Sequence, residues 1–336
     1  RAGARLETSK AFAKQFMHRH GIPTARAREA HDLKQARKAL AHFPDGAVLK
    51  ADGLAAGKGV VVCTKSAEAE AVLSDWYDKH NLPGGGTTIV IEEPLAGKEV
   101  SVMALVAGGS YRVLGTACDY KRALDGDSGP NTGGMGAYSP ASDVFDDSTL
   151  AAVSEMVFDR VMLGLRSDGI DYRGCLYAGL MLTASGPSVL EFNARFGDPE
   201  TQVVLPRLEG DFAEWLLAAA LGDLGSVEPR SSFDACVGVV LTSPGYPQRS
   251  EPRPGLPRFL GQSKDVLAFW GGSTRNGDGV DAAGGRVLTV CATGPDIAQA
   301  RERAYAGARG YVARLDPSRA LRYRSDIGAR ATVPVR

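Results

Sequence analysis

The chain has 336 residues, a formal net charge of zero, 44% apolar and 23% charged residues. This is an ordinary globular balance with room for two domains or one domain of several lobes. The neutral total argues against nucleic acid or an anionic membrane as the main partner, and no apolar run approaches the ~20 residues that span a bilayer. Five widely spaced cysteines, Cys63, Cys118, Cys175, Cys236 and Cys291, form no C-x-x-C pair. Buried thiols in a reducing cytoplasm are therefore expected, not disulfides or a zinc knuckle. The sequence starts at Arg1 without a methionine or a signal-like segment, so it is expected to begin inside a longer gene product.

Thr8-Ser9-Lys10 opens a helix: the hydroxyl residue is a good N-cap, and Phe12, Phe16 and Met17 recur at helical spacing before Gly21 and Pro23 close it. Lys10 sits in the first turn, the wrong end of the helix dipole for a cation, which hints at an anion nearby; a solvated lysine is the plain alternative. Ala47-Val48-Leu49-Lys50 reads as a short buried strand. It runs into the glycine-rich segment Gly53 to Gly59, after which the β-branched Val60-Val61-Val62 make a second strand. A phosphate loop of the Walker type would lead into a helix and end in Ser or Thr, so these glycines belong at a hairpin tip. Such a tip can lay backbone N–H groups over phosphates, with Lys50 and Lys58 adding charge; an ordinary turn is the alternative.

Residues 66–79 read as a helix, 87–93 as a strand broken by Pro94-Leu95-Ala96-Gly97, and 98–107 as a further strand. Glu93 and Glu99 flank the break, where an adenine amino group or a ribose diol would find acceptors; two exposed acidic strand ends are the other reading. A strand at 111–118 leads through Asp119-Tyr120-Lys121-Arg122 into a polar loop, 125–139, long enough to be a binding loop. A helix over 150–165 precedes a hairpin made of 176–183 and a strand centred on Ser188-Val189-Leu190-Glu191-Phe192-Asn193. Alternation there sends Leu190 and Phe192 to a core and puts Glu191 beside Asn193 on the other face. A carboxylate and an amide oxygen suit Mg²⁺, which keeps waters and takes its remaining ligands from phosphates, and Arg195 adds a cation shaped for carboxylate or phosphate. A polar solvent face is the alternative. Residues 211–221 read as an apolar, buried helix and 222–232 as a linker. The remainder reads as a small α+β domain.

The runs SKAF at Ser9, LKADGLAAGKGVVV at Leu49, IEEPLAGKEVS at Ile91, DYKR at Asp119, GPNTGGMGAYSP at Gly129, LYAGLM at Leu176, EFNARFGDPETQ at Glu191 and GGRVL at Gly284 together resemble the phosphoribosylamine–glycine ligases, ATP-grasp enzymes of purine biosynthesis. They follow the family's order over nearly the whole chain. The resemblance implies an α+β ATP-grasp fold, two lobes clasping ATP over 9–225 with the glycine-rich-flap lobe at 45–110, and a C-terminal α+β domain at 233–336. Family members open with a domain of roughly a hundred residues that helps bind the phosphoribosylamine; residues 1–8 are expected to be its tail.

The resemblance also implies roles. Lys10 and Lys50 would hold ATP phosphates, Gly57, Lys58 and Gly59 would form the flap, Glu93 and Leu95 would contact adenine, and Glu99 the ribose. Glu191 and Asn193 would be the metal ligands, Lys50 and Arg195 the catalytic cations. Lys121, Arg122, Asn131, Thr132, Gly133, Arg195 and Asp198 would lie near the substrates. The implied reaction activates glycine with ATP as glycyl phosphate, which the amine of 5-phosphoribosylamine then attacks. ATP and Mg²⁺ or Mn²⁺ are the expected cofactors, with small-molecule substrates, no nucleic-acid or membrane partner, a monomer or weak dimer, and a cytoplasmic location. Rival expectations are another ATP-grasp ligase using formate or bicarbonate, and a core that binds Mg·ATP without turnover.

Overall fold

The computed structural model describes residues 2–53, 59–232, 234–260 and 264–332. These fall into two compact units. One comprises residues 1–113, 146–196 and 213–228, the other residues 114–145, 197–212 and 229–336.

The first unit contains a four-stranded antiparallel sheet in the order Ala27–Ala30, Ile89–Glu92, Ala47–Ala51, Val60–Cys63. One face of this sheet is covered by the helices Leu33–Leu40 and Ser66–Asp78. Leu49, Ile89 and Ile91 pack there with Leu40, Leu73 and Trp76, apolar burial being the main force that holds such a layer. This lobe starts earlier than residue 45, because Ala27–Ala30 is its edge strand. The glycine segment does join two antiparallel strands, Ala47–Ala51 and Val60–Cys63, as a hairpin.

The same unit holds a second antiparallel sheet in which Lys98–Ala107 pairs with Gly174–Thr183, and that strand with Gly186–Asn193. Before it, Asp147–Val153, a π-helical turn Ser154–Asp159 and Arg160–Ser167 run as one continuous helical stretch. The helix Lys10–Arg19 starts where expected: Ser9 accepts the N–H of Phe12 at 3.1 Å, and Gly21 takes the left-handed conformation (φ 65°) that ends it. The apolar helix Phe212–Leu221 is less buried than its composition implies. Trp215 and Ala219 face inward, one turn apart, while Leu217 and Leu221 are exposed.

In the second unit, Gly136–Ser139, Ala235–Thr242, Arg286–Gly294 and Val266–Trp270 form an antiparallel sheet in that order, with every residue of Ala235–Thr242 buried. The helix Ile297–Val312, capped by Asp296, lies on it. The expected long loop thus contains a strand. Its first residue, Gly136, has φ 157°, and a Cβ there would lie 2.6 Å from the carbonyl oxygen of Gly238. The close backbone approach demands glycine, and the glycines disguised the strand. All five cysteines are buried and none is in a disulfide. Among the described residues no helix is long and apolar enough to cross a membrane.

Candidate functional site

Register in the small sheet sorts its side chains. Val48 lies opposite Glu92 and Lys50 opposite Val90, so these four share the face away from the two helices. There the Lys50 ammonium is 3.0 Å from Oε2 of Glu92 and donates to the carbonyl oxygen of Leu190 at 2.9 Å. Lys14, from the helix Lys10–Arg19, reaches the same Glu92 oxygen at 3.0 Å and donates to the Thr24 hydroxyl at 2.6 Å. The Thr24 hydroxyl in turn donates to the carbonyl of Val189 at 2.6 Å. Lys14, Lys50 and Glu92 are all buried. Burial pushes the Lys14 ammonium down to about 8 against the pull of Glu92. Oε1 of Glu92 is buried and has no hydrogen-bond partner.

Leu190 and Val189, which supply the two carbonyls, flank an irregularity. Gly179 pairs with Glu191 and Leu180 with Val189, so the ladder skips Leu190. This bulge corrects the simple alternation expected of the strand. Val189 and Phe192 are buried, whereas Leu190 is only half-buried, and the extra residue re-aims the side chains beyond it. Glu191 and Asn193 do share a face. Opposite Glu191 stands Gly179 and beyond it Ser101; opposite Asn193 stands Tyr177; and Glu99 lies opposite Met181 on the same face. Ser101 and Tyr177 join their hydroxyls at 2.6 Å. The absent side chain at Gly179, where a Cβ would sit 3.4 Å from Cγ of Glu191, leaves room in the middle of this polar row.

Lys10 stands at the base of the glycine hairpin, donating to the carbonyl of Gly53 at 2.9 Å. Burial pushes its ammonium down, opposed by Glu191 and Asp52, while Lys50 lowers it further. Asp52 accepts the N–H of Ala11 at 3.1 Å and the Ser9 hydroxyl at 3.2 Å, pinning the hairpin base to the start of Lys10's helix. Gly59 closes the hairpin, its carbonyl accepting the N–H of Ala51 at 2.8 Å. Gly57 and Lys58 lie outside the described residues. Glu93 is bonded by the main-chain N–H of Arg26 at 2.9 Å and by its guanidinium at 2.5 Å. Burial would raise the Glu93 carboxyl, but those donors outweigh it and hold it below the usual carboxylate range. Leu95, just beyond it, is half-buried.

Arg195 is held by Glu7 (2.9 Å) and donates weakly to Oδ1 of Asn193 at 3.3 Å; Glu7 also takes the N–H of Ala194 at 2.9 Å. In the second unit the remaining predicted residues gather. The backbone carbonyl of Lys121 accepts from the N–H and hydroxyl of Thr132 at 2.7 and 2.9 Å. Arg122 pairs across strands with Asn131 and donates to the carbonyl of Gly129 at 2.9 Å. Gly133 donates its N–H to the Tyr246 hydroxyl at 2.8 Å. Arg286 donates to the carbonyl of Gly133 (2.8 Å), to the carbonyl of Asp198 (2.9 Å) and to both oxygens of the Asp198 carboxylate (3.2 and 2.7 Å). At Gly134 (φ 109°) a Cβ would lie 2.4 Å from Cδ of Pro199, so the loop and the Asp198-Pro199 turn meet backbone to ring.

Among the residues of these clusters that escaped the sequence reading are Lys14, Asp52, Glu92 and Arg286. Glu92 had a signal. Strand parity from Ile89 and Ile91 places it, not Glu93, on the face opposite the helices. Arg286 had one too, since a charged residue directly after two glycines opens a buried strand.

A family model described as phosphoribosylglycinamide synthetase, ATP-grasp (A) domain, matches residues 8–201, and one described as phosphoribosylglycinamide synthetase, C domain, matches residues 236–330. The phosphoribosylamine–glycine ligase of Phenylobacterium zucineum is 45% identical over 98% of this chain and 77% of that protein. The one of Streptomyces coelicolor is 46% identical over 98% of this chain and 76% of that protein. The solved phosphoribosylamine–glycine ligase of Thermotoga maritima is 37% identical, with a TM-score of 0.83 over 96% of this chain and 79% of its own. The biotin carboxylase domain of Hydrogenobacter thermophilus 2-oxoglutarate carboxylase, solved with MgADP, ADP and bicarbonate, reaches a TM-score of 0.69 at 16% identity over 91% of this chain and 66% of its own. That last likeness is one of fold.

Proposed function

The chain belongs to the phosphoribosylamine–glycine ligase family, and from that premise we propose that it joins glycine to 5-phosphoribosylamine with ATP, giving glycinamide ribonucleotide, ADP and phosphate. The observation that carries the site assignment is Lys50, bonded at once to Glu92 and to the backbone of the strand bearing Glu191 and Asn193. One cation is thereby fixed beside the pair of oxygen donors, as phosphoryl transfer needs.

On this reading Lys10 and Lys50 receive the phosphates, and Gly57, Lys58 and Gly59 are the proposed flap residues. The buried, unpartnered Oε1 of Glu92 supports an acceptor role toward the amino group of adenine, and Glu93 and Leu95 follow it in the segment assigned to that base. Glu99 would take the ribose hydroxyls. The donor set fits a divalent cation: Glu191 and Asn193 offer hard oxygens on one face, with space left by Gly179. An ion such as Mg²⁺ keeps waters and takes phosphate oxygens for the rest of its shell. Mg²⁺ or Mn²⁺ held there would neutralise phosphate charge during transfer. The chain's own residues do the rest. Lys50 steadies the transferring group, and a covering hairpin would keep water from glycyl phosphate, an acyl phosphate that hydrolyses readily.

In the second unit, Asn131, Thr132, Gly133, Lys121, Arg122 and Asp198 form the proposed substrate-binding cluster. In the first unit, Arg195 is itself a proposed catalytic and substrate-binding cation. The ATP-grasp part over 9–225 and the C-terminal part over 233–336 belong to the same proposal. So do a cytoplasmic location, a monomer or weak dimer, and the absence of nucleic-acid or membrane partners. The test is ADP release with glycine and 5-phosphoribosylamine together. Release that requires both, and is not supported by formate or bicarbonate, supports the reading. Release with bicarbonate and not glycine overturns it.

A further inference from the structure

We propose that Lys14 is a positioning residue for ATP binding: by neutralising Glu92 it leaves the charge of Lys50 available to the nucleotide's phosphates. This rests on the reading of Lys50 as a phosphate-binding lysine.

The argument is one of charge in a closed space. Glu92 offers a single oxygen, Oε2, to two ammonium groups, Lys14 and Lys50, each at 3.0 Å. All three side chains are buried, where charges act on one another with little screening. Two cations and one carboxylate leave one net positive charge. Without Lys14, Glu92 and Lys50 would form a closed neutral pair, and a phosphate arriving at Lys50 would meet the repulsion of Glu92 as well as the attraction of the ammonium. Burial works against the charge of Lys14 more than Glu92 supports it. Lys14 is held in place by Thr24, which is itself tied to the carbonyl of Val189. Its own charge thus reaches the nucleotide by way of the carboxylate it shares.

The charged groups facing Lys14 are Glu92 and Lys50 from the two central strands of the small sheet, and Glu93 from the segment after Glu92. Its ammonium, lowered to about 8, loses its proton as pH rises through that value. Above it Glu92 is left to Lys50 alone.

The test compares binding of ATP with binding of adenosine, which has no phosphates, to the full chain, with melting temperature as a check on folding. Lys14→Met should weaken ATP binding by about tenfold or more, the scale of one unit charge acting through a few ångström of protein, and leave adenosine binding unchanged. Lys14→Arg should keep the ATP-to-adenosine ratio. The double substitution Lys14→Met with Glu92→Gln restores one net positive charge and should return the ratio to near the wild-type value. The wild-type ratio should fall above pH 8, and that fall should vanish in Lys14→Arg. The proposal is overturned if Lys14→Met lowers the melting temperature without moving the ratio, or if the ratio of the double variant stays as low as that of Lys14→Met. Lys50→Met separates the two readings: an unchanged ratio there removes Lys50 from the phosphates, whereas a lowered ratio with Lys14→Met silent removes Lys14 alone.

Discussion

The ammonium of Lys50 donates to the carbonyl oxygen of Leu190 at 2.9 Å, and Leu190 is the residue that the strand pairing with Gly174–Thr183 skips. A regular strand would spend that carbonyl on the ladder. The bulge releases it, and the released oxygen fixes the lysine next to Glu191.

Lys50 is therefore expected to be intolerant of change. Lys50→Met should cut glycine-dependent ADP formation by about 100-fold or more, the usual loss on removing a group that stabilises developing charge. Lys50→Arg should not restore it, because Lys50 must also meet the transferring phosphate as a compact point charge, which a planar guanidinium does not supply. Steady-state kinetics of both variants checks this; a fully active arginine variant would remove the geometric requirement.

Glu191→Gln keeps shape and removes one charge. ATP turnover should fall by at least about 100-fold and demand more Mg²⁺, while the melting temperature stays close to wild type, since Glu191 stands on the polar face of its strand. Parallel loss of stability and activity would make this a structural carboxylate.

Asp52 ties the glycine hairpin to the start of Lys10's helix through Ala11 and Ser9. Asp52→Ala should cost about 1–2 kcal/mol of stability, the range for a lost helix cap and its hydrogen bonds, and should raise KM for ATP because Lys10 is anchored at the same place. Urea unfolding beside ATP titration reads both. A raised KM without any change in the urea midpoint would show that the tether does not support the fold.

Arg286 holds Asp198 and Gly133 with four hydrogen bonds. If those two residues bind substrate as proposed, Arg286→Ala should raise KM for phosphoribosylamine several-fold while KM for ATP changes little. Equal rises in both would place the effect in general stability.

Acid should act on the second unit through Asp326. Burial alone would raise its carboxyl, but the Arg324 guanidinium and the N–H of Gly126 outweigh that and hold it at about 2. A carboxyl whose pKa is lowered on folding adds stability that is complete above its ordinary value near 3.8 and disappears as pH falls toward 2. Melting temperatures between pH 2 and 5 should drop less steeply for Asp326→Asn, which should also be less stable at neutral pH, Arg324 being buried. Identical pH profiles would exclude Asp326 as the acid-labile group.

Much of the architecture was legible from residues. The cap at Ser9, the glycine hairpin, and the shared face of Glu191 and Asn193 follow from spacing and turn chemistry, which are local. The bulge at Leu190 was not legible, because alternation alone does not reveal where a ladder slips by one residue. The Glu92 cluster was hidden for a related reason. Glu92 and Lys50 meet only because Ile89–Glu92 inserts between Ala27–Ala30 and Ala47–Ala51, a pairing between strands distant in sequence. Gly136–Ser139 was masked by its glycines, whose weak strand preference hid a position that only glycine fills.

The second unit takes its residues from three separate stretches of chain, and this limits how the gene can be divided. A fragment starting at Pro229 would lack Gly136–Ser139, leaving Ala235–Thr242 with an open, apolar edge ready to aggregate. The complementary fragment would carry 114–145 and 197–212 without the residues they fold against. Bisected halves should therefore be insoluble when expressed singly, and domain transplants from this scaffold should move all three stretches together.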